Sequence, residues 1–389
     1  MSEAMVGLAN PYALAELALG RKVRWASVTD REAFVKKTLG VPIEQLCAPV
    51  PGNLVVSGAA DIQEVIADIR EARTDGEKEF KAGARASTET MLSKVSPAAR
   101  ARIVSALAGG KYGGEPGFTP EGAEWADPGD FFEEASEFFD PVQGGLGDCY
   151  FIAALSAVAW ARPYVIANYL RTTGPGQQDF VDRIDFHANG TTSIEVSERV
   201  PLVQGTHAWI YARSSEPGEI WPAIYEKAYA KWKTGVVNDE PDYGPIAGGW
   251  PVTATTELTN LPGVTQTCSD LGADDIWASV RANSLSYRTI NPMTAWTFCQ
   301  TPTPVDYTDT GIYAYHAYTI LGWAYVNHTK YIVLRNPWGD NGPVIDSLAG
   351  NWLTYDQSFW RSVPLNTGGV FAIPAATFKK YYWQYGWAK

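Results

Sequence analysis

Residues 143–155 read Gln143-Gly144-Gly145-Leu146-Gly147-Asp148-Cys149-Tyr150-Phe151-Ile152-Ala153-Ala154-Leu155. The change of character inside this stretch decides how the rest of the chain is read. Glycines at 144, 145 and 147 make a turn that permits close backbone approach. Cys149 then opens a run of helix formers, predicted to continue to about Ala161 and to stop at Pro163. Asp148, just before it, is a residue type favoured at a helix N-cap. A cysteine in the first turn of a helix feels the positive end of the helix dipole, which favours the nucleophilic thiolate. Gln143 stands upstream, where its side-chain amide can donate to a developing oxyanion together with the Cys149 backbone N–H. The same residues also describe a glycine-rich turn capping a buried helix, with cysteine as small apolar filler.

A thiol nucleophile needs a base, and the chain has four histidines, His187, His207, His316 and His328. His316 lies in a strand-like stretch, Gly311-Ile312-Tyr313-Ala314-Tyr315-His316-Ala317-Tyr318-Thr319-Ile320-Leu321-Gly322. A turn at Asn327-His328-Thr329-Lys330 and a second strand, Tyr331–Arg335, lead into Asn336-Pro337-Trp338-Gly339. This hairpin returns Asn336 toward the His316 strand. Pairing across such a turn sets Asn336 opposite about Leu321, so a bulge, a longer turn or an approach across the strand end must make up the difference. An asparagine oxygen can hold an imidazole in one tautomer, and Trp338 can cover that hydrogen bond. Asn336-Pro337 is also a plain turn starter. His187, His207 and His328 fall in polar or turn contexts and are read as non-catalytic.

Further out, the composition divides the chain. Residues 1–124 carry 15 basic and 16 acidic side chains and one Trp; residues 125–389 carry 16 and 27 and the other 14 Trp. The first part has a helical pattern at Ile62, Val65, Ile66 and Ile69, and a second helix is expected after Ser96-Pro97. Gly109–Gly117 reads as a linker. The organisation is therefore a helical N-terminal region followed by a large α+β domain. The net charge of −12 argues against nucleic acid as a partner. No apolar run is long enough for a membrane span. No basic segment followed by an apolar one opens the chain, which gives the expectation of a cytoplasmic protein. Four cysteines without C-x-x-C spacing argue against structural zinc, and Cys47, Cys268 and Cys299 are read as inert thiols.

Five blocks together resemble the calpain family of papain-like cysteine proteases. Gln143-Gly-Gly-Leu-Gly-Asp-Cys149-Tyr is similar to that family's Q-G-x-L-G-D-C-W. Trp221-Pro-Ala-Ile-Tyr-Glu226-Lys227-Ala-Tyr229-Ala-Lys231 is similar to its W-x-A-L-L-E-K-A-Y-A-K helix. Gly248-Gly249 with Thr255-Thr256-Glu257, His316-Ala-Tyr with Leu321-Gly322, and Arg335-Asn336-Pro337-Trp338-Gly339 follow in family order, over about residues 126–380.

The resemblance implies a two-lobed papain-like core: a helical lobe at 126–262 carrying Gln143 and Cys149, and a β-rich lobe at 263–389 carrying His316, Asn336 and Trp338. Residues 1–125 precede it. In the family roles, Cys149 attacks the scissile carbonyl of a protein or peptide substrate and forms a thioester. His316 moves the proton, Asn336 orients it, and Gln143 lines the oxyanion hole. No cofactor is needed for that chemistry. Family calcium sites would place ligands at Asp140 and Glu216 in the first lobe. In the second lobe the chain offers Gly342, Gly368, Gly369 and Val370, which puts a second calcium in doubt. Tyr150 and Tyr315 stand where the family has Trp and Gly. Residues 1–125 are read as an intramolecular inhibitor or a docking module. The rival readings are a catalytically silent scaffold on the same fold and a transglutaminase-like acyltransferase.

Overall fold

The computed structural model of the chain describes residues 7–43, apart from 24, 26, 27 and 29, and residues 118–389, apart from 121, 134, 168–169, 173–180, 237, 301–302, 342 and 356–361. The helices expected around Ile62–Ile69 and after Ser96-Pro97, the linker at 109–117, and Cys47 lie outside these residues. The fold is α+β. Helices α1 (Pro11–Leu19) and α2 (Arg31–Leu39) come first. Helices α3 (Cys149–Ala161), α4 (Pro163–Ala167), α5 (Trp221–Thr234) and α6 (Pro251–Thr259) follow among short strands β1 (Ala123–Ala126), β2 (Pro141–Val142), β3 (Leu170–Thr172), β4 (Val181–His187), β5 (Thr191–Ser197), β6 (Val200–Val203) and β7 (Arg213–Ser214). The rest is largely sheet: β8 (Gly263–Thr267), β9 (Ser284–Leu285), β10 (Arg288–Thr297), β11 (Ala317–Val326), β12 (Thr329–Arg335), β13 (Asn351–Trp352), β14 (Val363–Pro364), β15 (Val370–Pro374) and β16 (Tyr382–Ala388), with helices α7 (Ala273–Ala282) and α8 (Ala375–Tyr381). Among the described residues no helix is long and apolar enough to cross a membrane.

Helix α3 begins and ends where the sequence predicts. It is buried from Cys149 through Trp160, so it carries no polar stripe and sits inside the molecule. It packs on β10, β11 and α6. Two long-range hydrogen bonds hold it to β11: Thr319 Oγ1 donates to Ala153 O at 2.7 Å, and Trp160 Nε1 donates to Leu321 O at 2.7 Å. Asp148 occupies the N-cap position, but its side chain makes no capping hydrogen bond.

The large sheet is antiparallel in the order β15-β12-β11-β10-β16-β8, with β9 added on β10. Its register explains how Asn336 reaches His316. The turn between β11 and β12 is two residues, not four: Val326 pairs with Thr329. Asn327 and His328 both take positive φ, 49° and 64°, as a tight hairpin of right-handed twist requires. The shorter turn advances the pairing by two positions. A bulge between Ile320 and Gly322 then adds one more, so Thr319 faces Arg335. Of the devices anticipated for closing the gap, the bulge is present and the turn is shorter rather than longer.

Gly322 at that bulge has no room for a side chain. A Cβ there would lie 2.0 Å from Tyr287 O and 2.6 Å from the Trp352 ring. Gly322→Ala is therefore expected to shift the bulge and to destabilise the fold by about 1–3 kcal/mol, read as a lowered urea midpoint. An unchanged midpoint would show that the strand yields there without cost.

Candidate active site

The site is assembled from four stretches that are far apart in sequence. Cys149 is fully buried at the start of α3. The backbone N–H groups of Leu8 and of Ala317, the neighbour of His316, favour its thiolate form. His316 Nε2 lies 2.8 Å from Asn336 Oδ1. That oxygen also accepts the Trp338 N–H at 3.1 Å, which fixes it as the acceptor end of the amide. Nε2 must then carry the ring proton, leaving the Nδ1 lone pair as the basic one. Nδ1 has no hydrogen-bond partner among the described residues.

Trp338 is 2% exposed, and its ring lies 4.5 Å from the His316 ring, centroid to centroid. Tyr313 lies obliquely against Trp338 at 4.5 Å, and Tyr318 meets His316 edge-on at 4.8 Å. This aromatic shell excludes water from the His316–Asn336 bond. Its electrostatic effect opposes that of the helix dipole. Burial pushes the Cys149 thiol up to about 12, despite the N–H groups of Leu8 and Ala317. Burial likewise drives His316 down to about 3, against the opposing pull of Asn336. In this covered arrangement both groups are neutral at pH 7.

Gln143 is buried and donates through Nε2 to Leu8 O at 2.8 Å and to Leu146 O at 2.7 Å. Its own N–H donates to Pro337 O at 2.9 Å, which ties the glycine-rich turn to the Asn336 segment. Tyr315 holds φ at +58°, the left-handed region that glycine enters without strain, and Tyr there costs about 1–2 kcal/mol. Tyr150 donates its hydroxyl to Ile246 O at 3.0 Å, and its ring fills the space a Cβ on Gly249 would need.

The other three histidines are elsewhere. His187 contacts Thr191 Oγ1, His207 pairs with Glu124 at 3.0 Å, and His328 sits in the hairpin turn. Cys268 and Cys299 are buried and form no disulfide, and burial pushes the Cys268 thiol up to about 12.

Asp140 and Glu216, singled out from sequence, come together with Glu137; one ligand oxygen from each lies within 4.8 Å of the other two. Asp140 is fully buried, and its Oδ1 has no hydrogen-bond partner among the described residues. Its Oδ2 accepts from the Glu137 N–H at 2.7 Å and from Trp221 Nε1 at 3.0 Å. Burial, with the carboxylates of Glu219 and Glu216, raises Asp140 to about 7. An all-oxygen, acid-rich cradle with one lone carboxylate oxygen fits a hard divalent cation. Glu137 was not read from the sequence, although its i, i+3 spacing to Asp140 is the available signal.

A second acidic pair was also missed. Asp148 and Glu226 are both fully buried, and the Glu226 Oε2 accepts the Ala212 N–H at 2.9 Å. Burial and the mutual proximity of the two acids raise Glu226 well above its ordinary range, so the pair retains a proton at neutral pH.

The family model described as calpain family cysteine protease matches residues 119–384. The chain belongs to that family. It is 30% identical over 266 residues to a thiol protease of Porphyromonas gingivalis, a match covering 62% of this chain and 53% of that protein. It is 27% identical over 240 residues to a calpain of Schistosoma mansoni, covering 57% and 29%, and 25% identical over 257 residues to calpain-9 of Mus musculus, covering 62% and 34%. The chain thus spans about half the length of the bacterial relative and about a third of the animal ones.

The raised Glu226 sets a pH dependence. A folded-state value above the unfolded one contributes stability that is fully present below the unfolded value near 4.5 and is lost as pH rises. Glu226→Gln removes that loss. Its urea midpoint relative to wild type is expected to improve steadily from pH 5 to pH 8; a constant difference would mean the pair carries no extra proton.

Proposed function

We propose that the chain is a calpain-like cysteine endopeptidase acting through Cys149, His316 and Asn336, with Gln143 in the oxyanion hole and Trp338 as shield. The observation that carries this reading is the His316 Nε2–Asn336 Oδ1 bond at 2.8 Å, made at the open end of the β11–β12 hairpin, whose strand β11 packs on the helix that Cys149 opens. The layout is papain-like, with a helical lobe at 126–262 and a β-rich lobe at 263–389, and the substrate is an extended protein segment between them. With the cleft open to solvent, the burial that keeps Cys149 and His316 neutral is relieved, and the dipole of α3 then favours thiolate beside imidazolium.

The chemistry is acyl transfer. The Cys149 sulfur attacks the substrate carbonyl carbon, and its proton resides on His316 Nδ1. Asn336 keeps the ring oriented through Nε2–H. The oxyanion takes the Gln143 amide and the Cys149 N–H. The amine leaves with the proton from His316, and water, deprotonated by the same nitrogen, hydrolyses the thioester.

Glu137, Asp140 and Glu216 would hold Ca²⁺, which supplies positive charge against three crowded carboxylates. Cytoplasmic action, and a regulatory role for residues 1–125 as inhibitor or docking module, complete the proposal.

Casein incubated with wild type and Cys149→Ala, with and without Ca²⁺, tests it. Fragments are expected from wild type alone. Fragments from both proteins, or from neither under any condition, would leave the silent scaffold or the acyltransferase as the better reading. His316→Ala should lower kcat by about a hundredfold to ten-thousandfold with the fold intact. Asp140→Asn should weaken Ca²⁺ binding measured by calorimetry; equal binding heats in both proteins would move the metal elsewhere.

A further inference from the structure

The segment Gly7–Asn10 runs directly across the nucleophile. Gly7 N–H donates to Tyr315 O at 3.1 Å, beside His316. Leu8 O accepts from Gln143 Nε2 at 2.8 Å. Asn10 N–H donates to Gly144 O at 3.3 Å, and Asn10 Nδ2 donates to Gln143 O at 2.7 Å. These bonds, with a longer one from Asn10 Nδ2 to Trp338 O at 3.5 Å, pin the stretch to both sides of Cys149. Leu8, Ala9 and Asn10 are buried as they pass.

We infer that Gly7–Asn10 is an inhibitory strap, a piece of the chain's own backbone that occupies the place of substrate, takes the Gln143 amide and seals Cys149 from solvent. What the strap inhibits rests on the protease reading; that it covers the thiol does not. The local sequence suits the task. Gly7 threads a tight gap, since a Cβ there would lie 3.0 Å from Gly147 O and 3.1 Å from Gly248 Cα and would press the neighbouring backbone outward. Asn10 then ends the strap by capping α1, accepting the Tyr12 N–H at 3.0 Å, and Pro11 sits at the first helical position. Helix α1 is buried from Pro11 through Ala18, so the strap is anchored by a core element. Arg31 of the neighbouring α2 pairs with Asp340, just past Trp338-Gly339.

The strap also explains the silent electrostatics of the site. Leu8 gives its carbonyl oxygen to Gln143 and is buried with Cys149, and the closed shell keeps thiol and imidazole uncharged. A tethered occupant competes at high effective concentration, so substrate gains access only in the fraction of molecules whose strap is displaced.

Iodoacetamide labelling of the full chain, resolved by peptide mass spectrometry, tests this independently of proteolysis. Gly7→Val crowds the gap, and Asn10→Ala removes the Gln143 contact and the cap. In at least one variant, Cys149 should alkylate about tenfold faster or more, while buried Cys268 and Cys299 stay protected. Those two thiols separate strap release from unfolding. If neither variant shows a selective rise at Cys149, the strap is overturned. Casein hydrolysis measured in parallel distinguishes the two readings. Selective labelling without hydrolysis keeps the strap and defeats the protease; Cys149-dependent hydrolysis, equal in wild type and variants and without selective labelling, does the reverse.

Discussion

A buried guanidinium holds the site together. Arg335 is fully buried at the end of β12, immediately before Asn336. It donates through Nη1 to Pro141 O at 2.9 Å and through Nη2 to Phe139 O at 2.6 Å, bracketing Asp140 from nearly 200 residues away. Burial lowers its value to about 10 and Asp140 opposes that, so it remains a cation. A fork of fixed geometry suits two carbonyls on one loop, whereas a lysine would supply only a point charge. Through this residue, the loop that leads into Gln143 and Cys149 is tied to the strand that delivers Asn336. The Gln143 N–H to Pro337 O bond repeats the tie one step further along.

The same fastening joins the acidic cradle to the proposed triad. In sequence Asp140 lies between the two carbonyls that Arg335 holds, and one of its oxygens lies within 4.8 Å of oxygens of Glu137 and Glu216. Beneath the nucleophile, Asp148 and Glu226 form a further buried acid pair at the start of α3. Burial, more than any single partner, sets the protonation of these groups.

Much of this was legible in residues because local rules govern it. The limits of α3 follow from the glycine-rich turn and from Pro163, and the hairpin follows from two strand-like runs and a polar turn. The family resemblance drew on the five blocks in order. Other features were legible only in part. The tight turn and the bulge at Leu321 decide which residue faces Asn336; Gly322 is the residue type of a bulge, but the resulting register follows only from the pairing. Asp148 has the residue type of a cap but turns inward instead.

Local sequence accounts for the elements and the chemical types: a cysteine opening an apolar helix, a histidine just before and an asparagine just after the two strands of one hairpin, and acids before the glycine-rich turn. These depend on neighbours within a few positions, where propensity and spacing act. Tertiary structure alone decided what covers them. That Gly7–Asn10 crosses Cys149, that Glu137 joins Asp140 and Glu216, and that Arg335 clasps the Phe139–Pro141 loop are contacts across tens to hundreds of residues. Such contacts arise from the packing of whole elements. The charge state of the site follows from them, because it depends on how completely the surrounding chain excludes water.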